Sequence, residues 1–270
     1  MTRYATVVTG DVTRAAVVVG DEFEFLPYSD AAEAAVAGVG VGDGDGERFS
    51  IDEVTLAPPT IRPRKIICVG LNYRGHIHEM QRETPVHPTL FAKYDRALIG
   101  ARDPLELPGS STQVDWEAEL GVVIGSEARH VTASSALAHV AGYTVVNDVS
   151  MRDWQRRSSQ WLSGKTFESS TPVGPILVTP DEVDHARDLL IECWVDDTLV
   201  QRSRTSDMVF DTAALIAYIS SIITLDPGDL IATGTPSGVG AGRKPARYLS
   251  AGQQLRTRIE GIGELVNLCR

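Results

Sequence analysis

Residues 113–122 read QVDWEAELGV. At period two, Gln113, Asp115, Glu117 and Glu119 fall on one face, and Val114, Trp116, Ala118, Leu120 and Val122 on the other. That alternation belongs to a strand and predicts a half-buried one, with an acidic face and a core face. Glu117 and Glu119 then project side by side, about 6–7 Å apart along the strand by its rise. Two carboxylates that close repel each other, and burial worsens the repulsion. A divalent cation between them removes it. On spacing alone, a solvated strand face accounts for the pair as well.

Working outward, Asp148 ends the run GYTVVND, where a side chain can leave a sheet for a cleft. Three carboxylates plus waters make a hard-oxygen site, suited to Mg²⁺ or Mn²⁺ rather than zinc. Upstream, CVGLNYRGHIHEM places His76 and Glu79 three residues apart. One helical turn would bring them into contact, and a carboxylate that orients an imidazole makes a general base. A surface histidine beside a glutamate is the plainer account. Lys165, in SGKTFESSTP, has the charge to hold an anionic substrate or simply to face water. His87, His130, His139 and His185 have no comparable setting and read as structural.

Other chemistry is absent from the sequence. There is no GxSxG, GxGxxG or HExxH pattern, and GTPSGVGAGRK carries Arg243 where a phosphate loop needs glycine. The acids Asp43, Asp45 and Glu47 lack the glutamate that a calcium loop needs at Val54, so the glycine-rich stretch around them reads as a loop. With 25 Lys+Arg against 36 Asp+Glu the formal charge is −11, which disfavours nucleic acid and anionic membranes as partners. Cys68, Cys193 and Cys269 are odd in number and far apart, so no disulfide framework is expected and a reducing, cytoplasmic setting fits. No apolar run is long enough for a membrane span, and the opening MTRYATVVTGDV lacks a signal-peptide core.

The organisation predicted is a small β-rich N-terminal domain, residues 1–60, closed by the proline-punctuated APPTIRP, and a main domain over 61–270. The first part holds ATVV, AAVVV and a helix over 30–37 capped by Asp30. In the main domain KIICVG, TLFAKY, DWEAELGVVIG, GYTVVNDV, GPILVT, IECWVDD, LIATG, QLRTRI and GELVNL read as strands. Helices are expected over Ser150–Trp161 and Asp211–Ile223. The strand and helix runs do not alternate as βαβ units, which argues against a doubly wound sheet. The fold class expected is α+β, mostly β.

In order along residues 61–270, KIICVGLNYRGHIHEM, PTLFAKYDRALIGARDPLELP, DWEAELGVVIG, GYTVVNDVSMRDWQ, QWLSGKTFESSTPVGP, LIATGTPSGVG and IEGIGELVNL resemble the fumarylacetoacetate hydrolase family. The resemblance implies a mixed β-sandwich roll, usually dimeric, binding one Mg²⁺ or Mn²⁺ per chain through Glu117, Glu119 and Asp148. It implies a His76–Glu79 dyad, a catalytic Lys165, and substrate contacts at Arg152, Gln155 and Thr235. The substrate expected is a small 2-oxo or 1,3-diketo acid. The leading expectation is hydrolysis of a C–C bond in an acylpyruvate such as fumarylpyruvate. The alternative is decarboxylation or isomerisation of an oxaloacetate-type or 2-hydroxyhepta-2,4-diene-1,7-dioate-type acid. A catalytically silent ligand-binding member would be marked by loss of the dyad, which is intact. Tyr94 and Ser170 depart from the family pattern in loops expected to face the substrate, while Glu168 keeps the family's acid, and 72–84 is expected to act as a lid.

Overall fold

The computed structural model describes residues 1–50 and 54–270. The chain is built on a 12-stranded mixed sheet and a four-stranded antiparallel sheet, with a two-stranded ribbon between Val114–Asp115 and Ser150–Met151. In the large sheet the central order is Thr171–Val178, Val140–Asn147, Ala118–Ile124, Leu230–Ala232, Ile66–Gly70 and Thr89–Lys93. The N-terminal strands Arg3–Thr9, Val12–Val19 and Glu22–Phe25 extend this sheet, because Arg3–Thr9 pairs with Thr171–Val178. The small sheet runs Thr198–Arg204, Leu190–Val195, Gln254–Ile259, Gly263–Leu268.

The two sheets share one core. Leu120, Val122, Tyr143 and Val145 of the large sheet lie in the same buried cluster as Ile191, Cys193, Leu255 and Leu265 of the small one. This is the sandwich expected when each sheet has an apolar face to cover. Nine strand runs read from the sequence are strands in the structure, and the sheet is not doubly wound.

Both N-terminal and C-terminal helices form where their caps predict. Asp30 accepts from Glu33 N at 2.9 Å ahead of the helix Ala31–Ala37. Asp211 accepts from Ala214 N at 2.8 Å ahead of Thr212–Ile222. The helix expected over Ser150–Trp161 is broken. Ser150 and Met151 are extended and pair with Asp115 and Val114, and only Arg152–Gln155 makes a helical turn before Leu162–Lys165 makes another. Between them Ser158 bonds the backbone at Gln160 with both its donor and its acceptor, the local competition that makes serine a poor helix interior.

Ala118–Ile124 is buried on both faces rather than half-exposed, and Asp115, Glu117 and Glu119 are buried with it. The alternation marks two environments, apolar core and charged interior, instead of core and solvent.

Candidate active site and metal centre

Glu117 and Glu119 flank the start of the Ala118–Ile124 strand, and Asp148 follows the neighbouring antiparallel strand, where Ala118 pairs with Asn147. That register brings the third acid to the first two. Backbone and side-chain bonds fix it there. Asp148 N donates to Glu117 O at 2.8 Å, and Glu117 N donates to Asn147 Oδ1 at 3.0 Å. The ligand oxygens of Glu117, Glu119 and Asp148 all lie within 4.8 Å of one another, and all three residues are buried.

Burying three carboxylates costs several kcal/mol per ion unless charges answer them. Three cations do so in part. Lys165 Nζ donates to Glu117 Oε2 at 2.6 Å and to Asp148 Oδ2 at 2.7 Å. Lys93 Nζ donates to Asp148 Oδ1 at 2.7 Å. Arg152 pairs through Nη2 with Glu117 at 2.6 Å and through Nε with Asp115 at 2.8 Å. Burial pushes the Glu117 carboxyl up, but the charges of Arg152 and Lys165 outweigh it and hold the group well below the usual range. Burial pulls Lys165 down, and its carboxylate neighbours more than restore it, so it stays charged.

Glu119 differs. Among the described residues it has no salt-bridge partner, and its recorded hydrogen bond is from Gly234 N at 2.8 Å. Burial, then the charges of Asp148 and Glu117, push it well above the ordinary carboxylate range. With Asp115, Glu117, Glu119 and Asp148 ionised against Lys93, Arg152 and Lys165, the cluster carries one net negative charge. A divalent cation among the three carboxylates would supply the charge that Glu119 lacks, and an all-oxygen donor set suits Mg²⁺ or Mn²⁺. The residues fit such an ion.

The dyad forms as its spacing predicts. Arg74–Glu79 is a short helix, and His76 Nδ1 lies 3.1 Å from Glu79 Oε2. His76 is buried. The helix is docked at several points. Glu79 Oε1 accepts from Gly238 N at 2.9 Å, Gly75 N donates to Asp207 at 3.2 Å, and Arg74 donates to the carbonyls of Asp207 and Met208, both at 3.0 Å. The polar groups of Arg74, Gly75 and Glu79 therefore go into docking bonds, which a reading based on apolar content alone does not capture.

A cavity of about 510 Å³ gathers these groups. Of the expected site residues, His76, Glu117, Glu119, Arg152, Gln155, Lys165 and Thr235 line it; Glu79 and Asp148 sit behind, bonded to His76 and to the lysines. Thr235 Oγ1 accepts from Gln201 at 2.8 Å. Tyr94, Glu168 and Ser170 do not line it. Ser170 is buried and donates to Phe167 O at 2.7 Å. The aromatic wall comes instead from Phe91 and Trp161, with ring centres 5.5 Å apart.

Two members of the cluster were missed in the sequence. Lys93 closes the apolar run TLFAK, and a lysine at the inner end of such a strand was the available signal. Asp115 shares the acidic face by strand period, but its task lies across the chain: it accepts from Gly240 N, Ala241 N and Arg152 Nε, tying the 240–241 turn to the cluster.

Residues 65–269 match the fumarylacetoacetate (FAA) hydrolase C-terminal family model. The chain belongs to the fumarylacetoacetate hydrolase family. The oxaloacetate tautomerase Fahd2a, mitochondrial, of Rattus norvegicus is 46% identical over 216 residues, 80% of this chain and 69% of the relative. The human oxaloacetate tautomerase FAHD2A, mitochondrial, is 47% identical over 217 residues, with the same coverage of 80% and 69%. Among solved structures, fumarylacetoacetate hydrolase from the psychrophilic Exiguobacterium antarcticum superposes with a TM-score of 0.90 at 35% identity, covering 100% of this chain and 99% of that one. The 2-hydroxyhepta-2,4-diene-1,7-dioate isomerase of Mycobacterium marinum gives 0.85 at 33%, covering 100% and 98%. Family members are enzymes that act on small organic acids, and no described helix here is long and apolar enough to cross a membrane.

Proposed function

We propose that this chain is a metal-dependent enzyme that moves a proton on the carbon beside the 2-oxo group of a small dicarboxylic acid, with oxaloacetate tautomerisation as its reaction. The supporting observation is the placement of His76, buried, paired with Glu79, and lining the same cavity as Glu117, Glu119 and Lys165. The names of the relatives at 46–47% identity point to the same chemistry.

One Mg²⁺ or Mn²⁺ per chain, held by Glu117, Glu119 and Asp148, would supply Lewis acidity at the 2-oxo-carboxylate end. With Nδ1–H given to Glu79, His76 keeps Nε2 as its basic nitrogen. Nε2 takes a proton from C3 of the keto form, and the electron pair moves onto the 2-oxygen. Protonation of that oxygen gives the enol, and the reverse sequence restores the ketone. Lys165 has three N–H donors, two of them on Glu117 and Asp148, which leaves one for the developing oxyanion. Gln155 Oε1 accepts from Arg152 Nη1 at 3.0 Å, so its amide N–H₂ is left to donate to substrate at the cavity wall. Thr235 completes the polar wall.

C–C hydrolysis of an acylpyruvate such as fumarylpyruvate is the second reading. His76 would there deprotonate a water that attacks the distal carbonyl, and the intact His76–Glu79 bond together with a cavity of about 510 Å³ favours keeping it. The test is decay of oxaloacetate enol followed in the ultraviolet, with Mg²⁺ or Mn²⁺ and with chelator, beside a panel of acylpyruvates and unsaturated 2-oxo diacids. Metal-dependent acceleration with oxaloacetate is expected. Acceleration confined to acylpyruvates would replace this reading with the second. The proposal includes a homodimer, which sedimentation tests, and a division of the chain into a small domain, 1–60, and a catalytic domain, 61–270. It also includes a reducing compartment for the free thiols, cytoplasmic in the sequence reading, although the relatives quoted are named as mitochondrial.

A further inference from the structure

The cavity has a charged inner end, an aromatic side and a second group of cations. At the inner end Arg152 and Lys165 are committed to carboxylates at 2.6–2.8 Å. Along the side stand Phe91 and Trp161, with Trp161 packed so closely on Gly70 that a Cβ there would meet the indole at 2.3 Å. Arg82 and Arg156 also line the cavity. They come from different elements, Arg82 just after the Arg74–Glu79 helix and Arg156 just after the Arg152–Gln155 turn.

Neither is in a salt bridge among the described residues. The recorded side-chain bond of Arg156 is a long one, 3.3 Å to the amide oxygen of Gln113. Nearby groups are already committed. Asp153 accepts from Ser111 at 2.5 Å, and Arg157 lies over the Trp154 ring at 3.5 Å instead of entering the cavity. What sets Arg82 and Arg156 apart is their place: two guanidinium groups from different elements line the same cavity as the acidic cluster, and neither is paired with its acids among the described residues. The charge count agrees. The inner cluster's one negative charge becomes one positive charge with a divalent ion, which answers one carboxylate. A second carboxylate has no partner at that end.

We infer that Arg82 and Arg156 clamp the second carboxylate of the substrate, so that the site selects dicarboxylates over 2-oxo monocarboxylates. The inference rests on the reading above for which end of the substrate lies inward. Each guanidinium offers a planar pair of donors that matches a carboxylate. Their positive charge also draws an anion toward a protein whose net charge of −11 would otherwise repel it.

The test measures binding apart from turnover. Metal-loaded wild type and the R82Q/R156Q double variant are titrated calorimetrically with pyruvate and with 3,3-difluorooxaloacetate, which cannot enolise. Both arginines are exposed, so folding should be unaffected. The expected result is a loss of about ten- to hundredfold in affinity for the dicarboxylate, with pyruvate within about twofold. Equal losses for both ligands, or none for either, would overturn the clamp. Oxaloacetate turnover is scored separately. A wild type that binds the dicarboxylate through the arginines but never tautomerises oxaloacetate keeps the clamp and sinks the proposed reaction.

Discussion

Glu79 holds His76 through one carboxylate oxygen, 3.1 Å from Nδ1, and holds Gly238 N–H through the other at 2.9 Å. The same side chain therefore sets the imidazole's tautomer and anchors the helix that carries it. His76→Ala should cost about 10²–10⁴-fold in the rate of enolisation, the span of a general base. Metal content should not change, because imidazole is outside the proposed ligand set. Running the variant on an acylpyruvate as well shows whether the base serves one reaction or both. A large loss on both would give His76 one base role in both reactions. Equal small losses would remove it from the chemistry.

Gly234 serves the proposed metal site through its backbone. Its φ is +100°, a Cβ would come within 2.8 Å of Asn72 Cβ, and its N–H donates to Glu119. Gly234→Ala should destabilise the protein by on the order of 1–3 kcal/mol, from strain and crowding together. It should also weaken metal binding, because Glu119 loses its tether. Gly109→Ala, where nothing lies within 4 Å, is the matched control. Equal melting temperatures for the two variants would show that the φ and the contact do not matter.

How much of this was legible in the sequence differs by residue. Glu117 and Glu119 were legible because strand period two puts them on one face whatever surrounds the strand. Asp148 was legible as the last residue of a recognisable strand, and His76 and Glu79 as three positions apart. Lys93 and Asp115 were not, because their tasks depend on which strands become neighbours. Thr89–Lys93 reaches Asp148 only after Ile66–Gly70 and Leu230–Ala232 have been inserted between its strand and Ala118–Ile124. Strand order within a sheet is a tertiary outcome that local alternation does not encode. The broken Ser150–Trp161 helix has the same origin, since Ser150 and Met151 are drawn into a ribbon with a segment more than 30 residues upstream.

The three cysteines are free and buried. Burial pushes the thiols of Cys193 and Cys269 up to about 12 each, and that of Cys68 well above its usual value. Since the thiolate is the reactive form, none should react with a disulfide reagent in the native state. After denaturation three equivalents per chain should react. Rapid labelling of the native protein would contradict the burial, and fewer than three equivalents after denaturation would contradict the absence of a disulfide.

Glu117 and Glu119 should respond oppositely to neutralisation when no metal is present. Glu117 is answered by Lys165 and Arg152 at 2.6 Å each, so Glu117→Gln leaves two buried cations short of a partner. Breaking a buried pair from one side costs about 3–5 kcal/mol. Glu119 has two carboxylates for neighbours and no salt-bridged cation among the described residues, so Glu119→Gln removes the cost of burying it beside them and should raise the melting temperature of the chelator-treated protein. Adding Mg²⁺ or Mn²⁺ reverses the order. Wild type at about 100 times Kd gains about 2.7 kcal/mol by mass action, and the Glu119 variant, with one ligand gone, gains less. Thermal melts of wild type and both variants, with chelator and with metal, give the comparison directly. A Glu119→Gln protein that melts lower than wild type in chelator, yet gains as much from metal, would show that this carboxylate is neither strained by its neighbours nor a ligand.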